Sequence, residues 1–307
     1  HPRYGLYNEP IEIQSTDISE AKNLGVFVND TLYLSEELIF NAGLRYDDVN
    51  SNYKEIYTDG SDTYSDNGNE SDISWHTGLL YKQRPELSYY LSYAQSFEPN
   101  YVSPDVGEHK NSQGEQWEVG IKGNISNDLL YSLVYYDLRK TNIPKDLPDN
   151  TTRLVGEQYS KGLELDISYD LSDQWKLMAS YAYTNATYSK DAESPELEGN
   201  NIPGVSPHAF ALFSHYSLDH YQPGLSVFGG IKYKGSAPFN DANDFNTKAF
   251  SNIDLGLQYR FKMAQDSEVK IQAGIKNLTD EAGIWTDTWS VNYSRPRTFY
   301  LTADYLF

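Results

Sequence analysis

Apolar side chains recur at every second position along most of this chain. In the segment 252–262, one face carries Ile253, Leu255 and Leu257, and the other face carries Asp254 and Gln258. Successive side chains of a β-strand point to opposite sides, so this alternation is typical of a strand with one apolar and one polar face. A helix would instead need apolar positions three and four residues apart. The pattern therefore predicts strands.

Thirteen segments of the chain show the same alternation. They predict thirteen strands, at residues 23–34, 38–55, 73–83, 87–97, 115–124, 128–141, 157–171, 174–188, 206–218, 224–235, 248–262, 268–278 and 296–307. Because hairpin connections join most of these segments, we expect neighbouring strands to pair in antiparallel order.

The connections between the segments alternate strictly between short turns and long polar loops. The long loops cover residues 57–72, 98–114, 142–156, 189–205, 236–247 and 279–295. A soluble β-sandwich gives no reason for every long loop to lie at one end of the strands. Transmembrane barrels have this arrangement, because their periplasmic turns are short and their extracellular loops are long. The predicted fold is therefore all-β, an antiparallel transmembrane β-barrel.

The last segment supports this orientation. Phe299, Leu301, Ala303, Tyr305 and the final residue Phe307 share one face. A chain that ends on an aromatic residue in phase with an apolar stripe resembles the C-terminal signature read by the outer-membrane assembly machinery. We expect Tyr305 and Phe307 to meet that machinery. With Phe307 in the periplasm, counting back along the strands makes all six long loops extracellular.

Composition agrees with a barrel and excludes helical membrane spans. The chain has 27 Tyr, 12 Phe and 5 Trp but only 2 Met, which suits strands and membrane–water interfaces. No run of about 18 apolar residues exists, so a transmembrane helix is excluded. The mean hydropathy of −0.64 does not exclude a barrel, because a barrel strand shows lipid only at every second residue.

Charge and cysteine content restrict the kinds of partner and metal site that are possible. The 44 acidic and 24 basic residues leave a formal net charge of −20, which argues against a nucleic-acid partner, since phosphate binding needs a basic surface. The absence of cysteine excludes disulfides and thiolate metal sites. The chain begins at His1 without an export signal, so we expect it to be a fragment of a longer protein.

Catalytic motifs are missing from the sequence. It contains no G-x-S-x-G elbow, no phosphate-binding glycine loop and no H-E-x-x-H zinc motif, so we predict no catalytic site, no metal site and no cofactor. The acidic loop Asp59–Asp72 offers oxygen ligands for Ca²⁺ but lacks EF-hand spacing, which favours a solvated acidic loop.

Several segments, in order along the chain, resemble the family of TonB-dependent siderophore receptors. The resemblance is carried by GVFVND (Gly25–Asp30) with AGLRYD (Ala42–Asp47), SFEP (Ser96–Pro99) with GEQWEVGIK (Gly114–Lys122), SKGLELD (Ser160–Asp166), IPGVSPH (Ile202–His208), KNLTD (Lys276–Asp280) and RPRT (Arg295–Thr298). Each motif is weak alone, but six in register are a strong signal. One departure is Thr279, where the family usually has an aromatic residue.

The resemblance implies an architecture and an activity. The family's barrel has 22 strands and a lumen filled by an N-terminal plug. Residues 1–307 would then be its C-terminal thirteen strands, with nine strands, the plug and the segment that contacts the TonB complex upstream. Two strand edges would stay unpaired in lipid, so we expect residues 1–307 alone not to form a closed, plugged pore. The implied function is active import of a ferric siderophore, in an outer membrane of lipid and lipopolysaccharide.

Aromatic residues in the long loops are the candidate ligand contacts, because a loop tip has no core in which to bury them. They are Phe97, Tyr101, Trp285, Trp289 and Tyr293, with Arg153, Arg295 and Lys110 as cations for an anionic ferric chelate. The alternative is an aromatic girdle at the membrane interface, where Trp and Tyr also concentrate.

Other functions stay open at this point. One alternative is a passive porin or an adhesive barrel, and the upstream sequence would distinguish these from a receptor. Another is a TonB-dependent receptor for cobalamin, heme or an oligosaccharide, although the scattered His residues argue mildly against heme. The loops alone do not decide between a hydroxamate and a catecholate siderophore.

Overall fold

The computed structural model describes residues 15–58, 63–100, 110–126, 128–146, 152–191, 194–263, 267–286 and 290–307. These residues are almost entirely β-structure, with one short 3-10 helix at Pro195–Leu197. The strands are β1 (Ser15–Tyr33), β2 (Leu38–Tyr57), β3 (Tyr64–Arg84), β4 (Leu87–Glu98), β5 (Ser112–Ser126), β6 (Leu129–Asp146), β7 (Thr152–Asp170), β8 (Trp175–Asp191), β9 (His208–Ser217), β10 (Leu225–Lys234), β11 (Phe250–Lys262), β12 (Glu268–Lys276), β13 (Ile284–Thr286), β14 (Val291–Tyr293) and β15 (Thr298–Leu306).

Thirteen of these strands form one antiparallel sheet in chain order. Each strand from β1 to β11 pairs with the next, and β12 pairs with β15, because β13 and β14 form a separate hairpin inside the last long connection. The thirteen predicted strands are confirmed. β1 and β15 are the two edges of the sheet.

One face of the sheet is apolar and faces outward. Leu255 lies opposite Ile275, and Leu257 lies opposite Ala273. Leu255 and Leu257 are 46% and 53% exposed, although side chains of this type are normally buried in soluble proteins. This exposure has a simple explanation if hydrocarbon, rather than protein, covers the face.

The opposite face is polar and concave. A cavity of about 710 Å³ is lined by residues of the eight strands β6 to β12 and β15, among them the polar-face residues Asp166, Ser180, Lys232 and Asp254. Across this face, Gln272 Nε2 donates to Gln258 Oε1 at 3.0 Å. The sheet therefore curls toward its polar side, as the wall of a water-filled barrel must.

Glycines on the inner face make room for aromatic rings of the neighbouring strand. Gly274 lies directly opposite Tyr300, and a Cβ on Gly274 would come within 2.6 Å of the Tyr300 ring. The same cross-strand pairing joins Gly120 to Tyr90, Gly162 to Tyr136 and Gly256 to Phe228. Each ring covers backbone that the glycine leaves bare, an arrangement known to stabilise sheets.

Aromatic belts lie at two levels of the outward face. In one belt, the Tyr93 ring lies 4.9 Å from that of Trp75 and 4.7 Å from that of Trp117, between centroids. On β8, Trp175 and Tyr183 share the outward face eight residues apart, which is about 26 Å along the strand, or about 20 Å of membrane thickness at a tilt of about 40°. Such a pair of belts flanks the apolar band of outer-membrane barrels.

Several of the short connections are serine-capped or glycine-containing turns. Ser172 Oγ accepts hydrogen bonds from the backbone N–H groups of Gln174 and Trp175, at 3.3 and 3.2 Å. Gly224 has a φ of +82° in the turn before β10, a conformation that favours glycine. These turns lie at the end of the sheet assigned to the periplasm.

Several predicted loop boundaries are wrong, because the strands continue beyond the membrane. β3 begins at Tyr64 rather than 73, β1 begins at Ser15 rather than 23, and the predicted loop 142–156 is mostly strand. Above the membrane both faces meet water, so the apolar alternation fades while the backbone ladder continues. The pairing of Asp47 with Asp72 through Glu55 with Tyr64 shows that ladder. Among the described residues, no helix is long and apolar enough to cross a membrane.

Candidate functional site

The strand ends above the upper belt are tied together by a buried polar cluster. Asn100 Nδ2 donates to the carbonyl oxygens of Lys110 and Asn142, at 2.8 and 2.9 Å. Ser112 Oγ lies 2.9 Å from both Asn100 Oδ1 and the Asn142 carbonyl oxygen. Asn142 has a φ of +56°, which asparagine tolerates better than most residues. This cluster fixes the rims of β4, β5 and β6 relative to one another.

Two extracellular connections, residues 194–207 and 235–249, are locked to each other. The Asn243 side chain accepts from the Asn201 N–H and donates to the Asn201 carbonyl oxygen, both at 2.9 Å. Asn200 Nδ2 donates to the Asp241 carbonyl oxygen at 2.9 Å. The Gly204 N–H donates to the Pro238 carbonyl oxygen, also at 2.9 Å. We call this set of contacts the loop latch.

The loop latch lies over the inner face of the sheet. Tyr188 lies on the same face of β8 as Ser180, which lines the concave cavity. Its hydroxyl donates to Asp241 Oδ1 at 2.7 Å. Burial, together with this hydrogen bond to a carboxylate, raises the pKa of Tyr188 above its ordinary value of 10. Residue Asp241 therefore lies at the mouth of the barrel interior.

A stacked pair of phenylalanines lies at the tip of the same loop. The Phe239 and Phe245 ring centroids are 4.8 Å apart with an interplanar angle of 26°, and the Phe239 N–H donates to the Phe245 carbonyl oxygen at 3.0 Å. Phe245 is 54% exposed. We call these two residues the ring pair.

The hairpin of β13 and β14 rises from a second hydrogen-bonded base. Asn277, with a φ of +51°, donates from Nδ2 to the carbonyl oxygens of Glu281 and Arg295, at 3.0 and 2.9 Å. Glu281 Oε2 accepts from the backbone N–H and the hydroxyl of Ser251, at 3.1 and 3.0 Å. The base thus joins the last long loop to β11.

The structure brings three of the predicted contact residues into this hairpin. Trp285 lies in β13 and is partly buried, Tyr293 lies in β14 and is 68% exposed, and Arg295 follows it and is exposed. Because Tyr293 is opposite Ile284 and Trp285 is opposite Asn292, Trp285 and Tyr293 lie on opposite faces of the hairpin.

The other predicted contact residues do not join this group. Phe97 follows Tyr93 on the outward-facing side of β4, beyond the upper aromatic belt. Tyr101 and Trp289 lie outside the described residues, as does the side chain of Arg153, whose backbone belongs to β7. Part of the acidic loop, residues 59–62, also lies outside them. Among the described residues, no group of three or more acidic or histidine side chains is placed to hold a metal ion.

Sequence reasoning missed the ring pair and the loop latch. The ring pair lies in the predicted loop 236–247, so the rule that selected Trp285 and Tyr293 would also have selected Phe239 and Phe245. The latch gives no such signal, because asparagines are common in loops and their partners lie some 40 residues away.

Taken together, an outward apolar band, two aromatic belts, a polar concave face and elaborate loops at one end define the wall of a bacterial outer-membrane β-barrel. Residues 1–278 match the family described as TonB dependent receptor-like, beta-barrel. The chain belongs to this family, whose members are outer-membrane receptors and transporters.

Named relatives agree with this membership. The chain is 28% identical over 290 residues to the ferrioxamine B receptor of Salmonella typhimurium, covering 92% of this chain and 40% of the relative. The fold is similar to the siderophore receptor PiuA from Acinetobacter baumannii (TM-score 0.79, 20% identity, 93% of this chain and 43% of that one). It is also similar to the ferric-catecholate import receptor Fiu from E. coli K12 (TM-score 0.74, 21% identity, 94% and 45%). The chain thus spans less than half the length of these relatives.

Proposed function

We propose that this chain forms the C-terminal wall and the extracellular loops of an outer-membrane receptor that imports ferric siderophores by TonB-dependent transport. The observation that carries the proposal is the family match over residues 1–278, on a sheet whose loops fold over its polar face. This architecture supports a transport role.

The edge strands support a longer wall. Leu301 in β15 and Leu24 in β1 are 73% and 68% exposed, more than Leu255 and Leu257 in the middle of the sheet. An unpaired strand edge in lipid leaves N–H and C=O groups without partners. Further strands on both edges would cover these groups and close the barrel, and a plug upstream would fill its interior and contact the TonB complex.

The described surfaces suit different partners. The outward face between the belts would contact lipid, and the outer parts of the strands would contact lipopolysaccharide. Tyr305 and Phe307, 57% and fully exposed, are proposed to meet the assembly machinery. Trp285, Tyr293 and Arg295 are proposed ligand contacts, whereas the outward position of Phe97 favours the aromatic girdle.

The test is growth of a siderophore-receptor-deficient strain that expresses the full-length receptor. Ferric siderophores of several chemical classes are supplied as the sole iron source, in strains with and without TonB. We expect rescue by at least one siderophore, only when TonB is present. Rescue without TonB would point to a passive porin, and failure with all siderophores alongside uptake of cobalamin, heme or an oligosaccharide would overturn the cargo.

A further inference from the structure

The ring pair is an exposed apolar surface on an otherwise polar loop. Residues 236–247 contain no other large apolar side chain, and Phe245 is 54% exposed. The loop latch and the bridge between Pro238 and Asn246 already hold the loop in shape through backbone and asparagine hydrogen bonds. The fold of the loop therefore does not depend on covering the exposed face of Phe245, which leaves that face available to a ligand.

The ring pair lies on a loop beside the opening of the concave polar face. The latch connects the loop to the inner face of β8 through Tyr188 and Asp241, so the tip from Phe239 to Phe245 stands beside the barrel mouth. Because both loops are already ordered by their mutual hydrogen bonds, binding there would require little additional ordering.

Charge complementarity selects the occupant. The two latched connections, residues 194–207 and 235–249, contain four acidic residues and one basic residue, Lys248. The six long loops together contain 19 of the 44 acidic residues but only five of the 24 basic residues. Asp241 and Asp244 lie between Phe239 and Phe245 in the sequence. Their carboxylates accept hydrogen bonds from the Tyr188 hydroxyl and from Asn240 Nδ2, and neither forms an ion pair within the described part of the chain. An aromatic face beside carboxylates attracts cations.

The classes of ferric chelate differ in charge. Three catecholates bound to Fe³⁺ leave a triply anionic complex, which the acidic loops would repel. Three hydroxamates leave a neutral complex, and a pendant alkylammonium group makes it cationic. The names of the relatives do not decide between these classes, since they include a ferrioxamine B receptor and a ferric-catecholate receptor.

We infer that Phe239 and Phe245, with Asp241 and Asp244 beside them, form a subsite for the alkylammonium arm of a neutral or cationic ferric hydroxamate. This inference rests on the proposed function and names its ligand class. The ammonium group packs over the exposed Phe245 face while the carboxylates balance its charge, and the methylene arm covers the rest of the ring.

The test compares two probes that share one iron centre. Ferrioxamine B carries a terminal ammonium group, and its N-acetyl derivative is neutral at that position. Binding of both to the purified full-length receptor is measured by titration calorimetry at low ionic strength. We expect the wild-type receptor to bind ferrioxamine B about tenfold more tightly than the acetylated form, and more tightly than any tris-catecholate complex of iron.

Variants separate the contributions of ring and carboxylate. D244N should reduce the preference for the ammonium form to about threefold, and F245L should remove most of it while leaving the affinity for the acetylated form nearly unchanged. Y188F leaves both rings in place but weakens the latch, so it should lower the affinity for both probes equally. The controls are Y221A and D173N, in the turns at the opposite end of the sheet, which should change neither affinity.

The outcomes are distinct. Equal affinity of the wild-type receptor for the two probes, or a preference that survives F245L and D244N together, overturns the subsite. Tighter binding of a tris-catecholate complex overturns the ligand class but leaves siderophore import standing. Failure to bind or import any ferric chelate overturns the proposed function itself.

Discussion

At the scale of single residues, the inner wall depends on glycine as much as on aromatic side chains. A ring that lies flat across the neighbouring strand needs a partner without a Cβ, and Gly274 supplies this for Tyr300. The polar face could be predicted from alternation, but the glycine–aromatic pairs could not, because the strand register that places them opposite each other is not visible in one sequence.

The substitution G274A tests this dependence. A methyl group at position 274 would lie within 2.6 Å of the Tyr300 ring, and relief of that overlap is expected to cost about 1–3 kcal/mol of stability. The measurement is the urea midpoint of the full-length receptor in detergent, followed by heat-modifiable mobility on gels.

Gly78, in the distant strand β3 of the same sheet, provides a matched control. A Cβ there would meet its nearest neighbours at an ordinary contact distance of 3.7 Å, so G78A should shift the midpoint by no more than about 0.5 kcal/mol. Equal effects of the two substitutions would show that the ring contact at Gly274 is not responsible.

At the scale of elements, the strands extend beyond the segments whose alternation predicts them. The segments with a clear apolar face were found, and their order and pairing follow from the alternation of short and long connections. The extensions of β1, β3 and β7 were missed because they lie where both faces are wet. The β13–β14 hairpin was missed because three-residue strands carry too few positions to establish a period.

The loop latch makes an element-scale prediction. Replacing Asn243 with alanine removes both hydrogen bonds to Asn201 and puts a less tolerant residue at a φ of +57°. We expect the backbone amides of Asn201 and Gly204 to exchange with deuterium at least tenfold faster. Hydrogen-exchange mass spectrometry of the full-length receptor measures this.

A control variant isolates the side-chain bonds. N243G tolerates the positive φ yet lacks the amide group, so it should also accelerate exchange at Asn201. If N243G leaves exchange at the wild-type rate, the backbone conformation of residue 243, and not its side chain, holds the two loops together.

At the scale of the whole molecule, the sheet has two edges that face lipid. The thirteen strands end at β1 and β15, where Leu24 and Leu301 are more exposed than Leu255 and Leu257 in the middle of the sheet. A protein limited to residues 1–307 is therefore expected to show no stoichiometric ligand binding and no stable single-channel conductance. Planar-bilayer recording beside the full-length receptor measures this, and discrete channels from the shorter protein would contradict it.

The fold class, the strand number and the family could be predicted at this scale, since each rests on a pattern repeated along the chain. The ligand contacts could be predicted only in part. Trp285, Tyr293 and Arg295 do share one hairpin. Aromatic residues, however, occur both in the membrane girdle and in ligand pockets. Only the strand register shows that Phe97 lies on the outward face and not at the mouth.

The most direct test of the account is the environment of alternate residues along β11. The sequence has no cysteine, so single-cysteine variants at Ile253, Asp254, Leu255, Leu257 and Gln258 can be spin-labelled in the full-length receptor within lipid vesicles. We predict high accessibility to oxygen at 253, 255 and 257 and high accessibility to a polar nickel complex at 254 and 258. Low oxygen accessibility at 253, 255 and 257, as in the interior of a soluble β-sandwich, would contradict the account.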